Sequence, residues 1–194
     1  FVRPRSATQI DDNATFISNY VCMRPVRDTQ MYPAAYCNGE NSRVIFNSIV
    51  YGHKNSLLDL GSKAVLTGKG SKAEMVSRAI TRDGAKMIIR GLIDGDNSDC
   101  KGHLECQGLI FDDISFMQSI PELIARKKGV EITHEAAVGK ISEKEITYLM
   151  TRKLSREQAV SLIIRGVMDV SILGLPDALN KEIKKIVDAA AGAE

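Results

Sequence analysis

A mainly β fold with a short helical tail is what this sequence predicts, and three observations carry it. Between about Met31 and Val138 the apolar residues come in short bursts broken by Gly, Asn and Asp. The bursts echo one another: a small residue followed by branched aliphatics recurs at Arg78-Ala79-Ile80, Arg90-Gly91-Leu92-Ile93 and Gln107-Gly108-Leu109-Ile110. After Gly139 the pattern changes to capped segments with helical spacing.

The opening stretch, Phe1 to Asn19, carries neither a helix pattern nor a capping signal and does not start with methionine. It reads as a processed, truncated or partly disordered N-terminal side. The strand bursts follow: Val44-Ile45-Phe46, Ala64-Val65-Leu66, Glu74-Met75-Val76, Met87-Ile88-Ile89 and Leu109-Ile110-Phe111. Apolar runs of this length between turn residues are strands. The echoes are 12 and 17 residues apart, as stacked coils of a β-solenoid would be. A β-sandwich also spaces its strands by about 8 to 12 residues, and the residues alone leave both architectures open. No strand-helix alternation appears before Gly139, which argues against Rossmann and P-loop folds. The run Gly68-Lys69-Gly70-Ser71 lacks the spacing a phosphate-binding loop needs.

In the tail, Ser142-Glu143-Lys144-Glu145 has the form of a capping box, starting a helix with Ile146, Leu149 and Met150 on one face. Ser155-Arg156-Glu157-Gln158 repeats the device ahead of Ala159, Leu162, Ile163 and Val167. Pro176 opens a third helix striped with Leu179, Ile183, Ile186 and Val187. The domains expected are a β core over 1–139 and a helical domain over 140–194. Such short stripes need support, so the helices are expected to pack on the end of the β core through Ile146, Leu149, Leu162 and Ile163. Val167, Met168, Val170 and Ile172, rimmed by Arg165 and Asp169, would then form an exposed apolar partner surface, unless the third helix covers them.

Composition narrows the function. The 194 residues carry 26 Lys and Arg against 24 Asp and Glu, with interspersed signs and a net charge of +2, so no basic stripe calls for nucleic acid. No apolar run approaches the roughly 20 residues of a membrane span and no signal-peptide pattern opens the chain, which makes the cytoplasm the expected location. The four cysteines, Cys22, Cys37, Cys100 and Cys106, form no CxxC pair and are expected as reduced thiols. Cys37, beside Asn38-Gly39, is the one expected to be exposed, and His53 is expected in a solvated turn.

The stretch richest in ligand chemistry is Lys101-Gly102-His103-Leu104-Glu105-Cys106, followed 28 residues after Cys106 by His134-Glu135. Thiolate, imidazole and carboxylate are ligand classes that hold iron. Strand alternation supports a plainer reading as well: Cys106 shares a face with Leu104 and Ile110, and His134 one with Ile132, Ala136 and Val138. Both then point into an apolar interior as a structural cysteine and a core histidine, and Glu135 points the other way.

A series of segments resembles the shared core of the SufB and SufD proteins. They are Arg24-Pro25-Val26-Arg27-Asp28, Tyr32-Pro33, Gly39-Glu40-Asn41-Ser42, Ser77-Arg78-Ala79, Gly102-His103-Leu104-Glu105-Cys106 and Thr133-His134-Glu135-Ala136-Ala137-Val138-Gly139-Lys140-Ile141. The resemblance runs from about residue 20 into the tail and is most specific in the His134-to-Ile141 block. It implies a right-handed parallel β-helix followed by a small helical domain, working in iron-sulfur cluster assembly. It also implies a SufC-like ABC-type ATPase docked on the helical domain, SufB/SufD-type homo- or heterodimers and a sulfur donor. The chain would be an assembly scaffold and not itself an enzyme, with no nucleotide of its own and a nascent cluster as its transient cargo. The SufB positions needed for that cluster match Cys106, His134 and Glu135. SufD proteins commonly carry Cys in place of Ile132 and Gly in place of Glu135, so the chain is SufB-like there. The alternative is a structural, SufD-like partner that binds the ATPase without ligating a cluster.

Overall fold

The computed structural model describes residues 1–169, 171 and 174–192, with side chains through Asp188. The chain runs β1 (Ala7–Ile10), β2 (Thr15–Cys22), β3 (Asp28–Met31), β4 (Ala34–Cys37), β5 (Arg43–Gly52), β6 (Leu57–Leu66), β7 (Lys72–Thr81), β8 (Lys86–Gly95), β9 (Lys101–Ile110), β10 (Phe116–Ala125) and β11 (Glu131–Lys140). The helices α1 (Glu143–Thr151), α2 (Arg156–Val167) and α3 (Asp177–Gly192) follow. Two parallel sheets form a β-solenoid: one ordered β1-β4-β6-β8-β10 with β3 also pairing β6, the other β11-β9-β7-β5-β2. From β5 onward each coil lays one strand on each sheet in turn, while β3 and β4 together line the length of β6. This settles the choice between solenoid and sandwich, since a sandwich would pair its strands antiparallel.

The coil period is about 29 residues, the separation of Ser48 and Ser77, which stack in register on β5 and β7. The echo in the sequence is this period split in two. Ala79 on β7 pairs with Gly108 on β9, while Gly91 lies on β8 of the facing sheet. Coils also form earlier than the sequence suggested, since β1 and β2 lie before the first recognisable apolar burst. Their inward residues, among them Ile10 and Phe16, join the same core as Val44, Leu66 and Ile93.

Strict alternation fills the lumen. On β6, Leu58, Leu60, Ser62, Ala64 and Leu66 are buried, with half-buried residues between them. Burying a Leu or Ile side chain fully stabilises by roughly 1.5–3 kcal/mol. Two glycines let side chains cross the narrow lumen: a Cβ on Gly91 would stand 2.1 Å from Leu104 Cδ1, and one on Gly108 2.2 Å from Met117 Sδ. Cys37, expected at the surface, is fully buried because it is the inward end of β4, in register with Leu66. His53 is half-buried against Tyr51, with ring centroids 4.9 Å apart.

The helices start where the capping residues place them. Ser142 caps α1 by accepting from the Glu145 N–H, and Ser155 and Gln158 complete a reciprocal capping box on α2. Their docking differs from expectation. They cover the outer face of the β5-β7-β9 sheet, where Ile164, Met168 and Val187 pack on Ile49, Tyr51, Ile80 and Leu109. Among the described residues, the β10-β11 end of the solenoid stays largely exposed. On α2 the packed stripe centres on Val160, Ile163, Ile164 and Val167, which puts Leu162 on the opposite side, 50 % exposed. Met168, expected on an exposed partner surface, is 1 % exposed because it belongs to this helix-sheet core, and Val167 is half-buried in it. Val170 and Ile172 lie outside the described residues. No helix among the described residues is long and apolar enough to cross a membrane.

Candidate functional site

The last two coils bring the candidate ligands together, and parity decides which of them meet. On β9 the inward residues are Gly102, Leu104, Cys106 and Gly108. On β11, Ile132, His134, Ala136 and Val138 pair with them one for one. The 28-residue interval is therefore two short of a full coil here, since Cys106 pairs with Ala136 and His134 with Leu104. Cys106 and His134 stand diagonally on adjacent strands on the same inward side, with Cα atoms roughly 8 Å apart from strand spacing and rise. Cys106 is buried, at 2 % exposure, whereas His134 is exposed because no further strand among the described residues pairs with β11 on that side.

Glu135 is on the other side of β11. It stacks in register with Glu105 on the outer face, where Arg78 Nη1 donates to Glu105 Oε1 at 2.6 Å. His103 Nδ1 lies 2.9 Å from Thr133 Oγ1 on the same face. The structure thus places Cys106 and His134 on the inward side of the sheet and Glu135 on the outer side. Among the described residues no three Cys, His, Asp or Glu side chains converge on a metal-sized site. All four cysteines are free and buried.

The environment of the thiol is mixed. Burial pushes Cys106 up from its ordinary value, a hydrogen bond with Ser119 and the charge of Arg78 pull it back, and Glu105 adds to the rise. Ser119 is the site residue that sequence reasoning missed. It lies on β10, a strand obscured by Pro121, which is tolerated because β10 is the edge of its sheet. Reading Met117, Ser119, Pro121 and Leu123 as one face of an alternating run was the signal available.

Residues 4–167 match the family model described as "SUF system FeS cluster assembly, SufBD core domain". The chain belongs to the SufBD family of iron-sulfur cluster assembly proteins. It is 49 % identical over 187 residues to an iron-sulfur cluster assembly SufBD family protein of Methanothermobacter thermautotrophicus, covering 96 % of this chain and 46 % of that protein. It is 48 % identical over 189 residues to one from Archaeoglobus fulgidus, covering 97 % and 51 %. It is 30 % identical over 161 residues to the iron-sulfur cluster assembly protein SufB of Bacillus subtilis, covering 82 % and 35 %. The chain spans about half the length of the first two relatives. Within this SufBD core, the candidate residues Cys106 and His134 sit on β9 and β11, the last two strands of their sheet among the described residues.

Proposed function

We propose that this SufBD chain is a scaffold on which a nascent iron-sulfur cluster is built at the open end of the solenoid. Cys106 would supply a thiolate and His134 an imidazole nitrogen to the iron, both ligand types suited to it. The observation carrying this reading is that these two residues share the inward face of adjacent strands, two register positions apart, at the edge strands of the two sheets among the described residues. Glu135, on the outer face, serves as an oxygen ligand or proton acceptor only for groups arriving from outside the lumen. A second SufB- or SufD-type chain set against the end supplies the remaining ligands. Unpaired strand edges recruit such partners, and Leu123 and Val138 leave apolar surface there.

The chain works without nucleotide of its own. A SufC-like ABC-type ATPase docks on the helical tail, whose exposed faces carry Tyr148, Met150 and Leu162. Sulfur comes from a separate donor. The setting is the cytoplasm, which suits four unpaired thiols.

Anaerobic reconstitution with ferrous iron and sulfide tests the cluster reading. Thiolate-to-iron charge-transfer absorption is expected in the native chain mixed with its partner, absent in Cys106→Ser and weakened in His134→Ala, with circular dichroism unchanged. Full absorption in Cys106→Ser sinks it. The separation of Glu135 from the other two donors favours a second reading, the SufD-like structural partner, for which no variant changes loading while the ATPase still co-purifies.

A further inference from the structure

The ends of β2, β5 and β7 meet α3 in an open cleft of about 560 Å³, within the roughly 300–1,000 Å³ of small-molecule sites. Four cations line it, Arg24, Lys54, Arg82 and Lys185, against the two carboxylates of Asp83 and Glu182. Both carboxylates are already engaged: Arg82 Nε donates to Asp83 Oδ1 at 3.3 Å, and Lys185 Nζ to Glu182 Oε1 at 2.7 Å. Arg24 and Lys54 are exposed, and neither side chain has an ion pair or hydrogen bond among the described residues. Arg82 is steadied on its other side by Phe111, whose ring centroid lies 5.7 Å from the guanidinium. In the wall of the same cleft, His53 Nε2 is buried and has no hydrogen-bond partner among the described residues.

We propose that this cleft is a binding site for a small phosphate monoester, with Arg24 and Lys54 on the phosphoryl oxygens and Arg82 beside them as a preset guanidinium. A phosphate ester carries close to two negative charges at pH 7, which the two unpaired cations match. A carboxylate would leave one of them unanswered. Guanidinium groups meet phosphate oxygens with paired donors, and a lysine adds a mobile point charge. The cleft is larger than the bare ion needs and is apolar where Met23 and Ile186 line it, so the organic part of the ester has a surface to lie on. A small turn of the His53 ring offers that part a polar partner and satisfies the orphaned nitrogen, as buried polar groups require. A ligand seated here touches both α3 and the coil ends, and so ties the helical tail to the solenoid. The site shares no residue with Cys106, His134 or Glu135 and does not depend on the iron reading.

The test titrates glycerol 3-phosphate, inorganic phosphate and glycerol into the full chain at constant ionic strength, followed by backbone amide NMR. Glycerol 3-phosphate is expected to give saturable shifts at Arg24, His53, Lys54 and Arg82, and glycerol to give none. Arg24→Gln and Lys54→Gln are each expected to weaken binding roughly tenfold, with circular dichroism unchanged because both side chains are exposed. Lys128→Gln, at an exposed lysine between β10 and β11, is expected to leave binding in place. Inorganic phosphate is expected to compete at the same amides with lower affinity, and equal affinity for the bare ion overturns the ester assignment. The absence of saturable shifts, binding unmoved in both Arg24→Gln and Lys54→Gln, or an equal loss in Lys128→Gln overturns the site itself.

Discussion

Ile93 on β8 and Leu123 on β10 occupy the same inward column on successive coils, yet Ile93 is fully buried and Leu123 is 37 % exposed. The two coils share a period, a parity and a backbone ladder, and differ in having a neighbour on both sides or on one. A solenoid coil is sealed by the coils that flank it, so identical geometry gives a dry core in the middle and open chemistry at the end. Cys106 sits at the junction, buried like the middle coils and one strand from His134, which is exposed. The comparison teaches that position along the stack places the candidate site, since the local strand structure of β9 and β7 is the same.

Truncation is the strongest way to break this comparison. Ile93→Ala is expected to cost about 2–5 kcal/mol by lost burial and residual cavity, and Leu123→Ala less than about 1 kcal/mol because its site is half in water. Urea denaturation of each variant measures the difference, and equal costs would mean that the open end is covered in solution. Added volume sharpens it. Gly108→Ala would force a Cβ to within 2.2 Å of Met117 Sδ, while Gly139 on β11 has nothing within 4 Å. The former is expected to destabilise by about 1–2 kcal/mol, at the lower end for overpacking since the Met117 side chain can shift. Gly139→Ala is expected to stay within about 0.5 kcal/mol. The last effect is a slope. Burial pushes the Cys37 thiol up to about 11, against a hydrogen bond with Ser42. Between its ordinary value near 9 and about 11 the folded chain keeps a proton that the unfolded chain has lost, so stability falls as pH rises through that window. Cys37→Ala is expected to flatten the fall in thermal scans across the alkaline range. An unchanged slope would show that this sealed coil admits water.

Much of the architecture was legible because period and parity are local. The 12- and 17-residue echoes of small and branched residues sum to one coil, and alternation around Cys106 and His134 correctly placed both on the inward side. The capping serines fixed the helix starts for the same reason, since a cap reads only the next three residues. The first coils were harder to see, because β1, β3 and β4 are only four residues long. Pro121 hid β10, and with it Ser119.

By itself the sequence determined a strand-rich core in the middle of the chain, the helix starts, the family pattern and the opposite orientations of His134 and Glu135, all consequences of local periodicity. Tertiary structure alone decided that the helices cover the outer face of one sheet, that Met168 is core and Leu162 is surface, and that Cys37 is sealed. It also decided that Ser119 faces Cys106 across the lumen. Those facts depend on which elements become neighbours in space, and a contact between residues on facing sheets leaves no period in the chain to read.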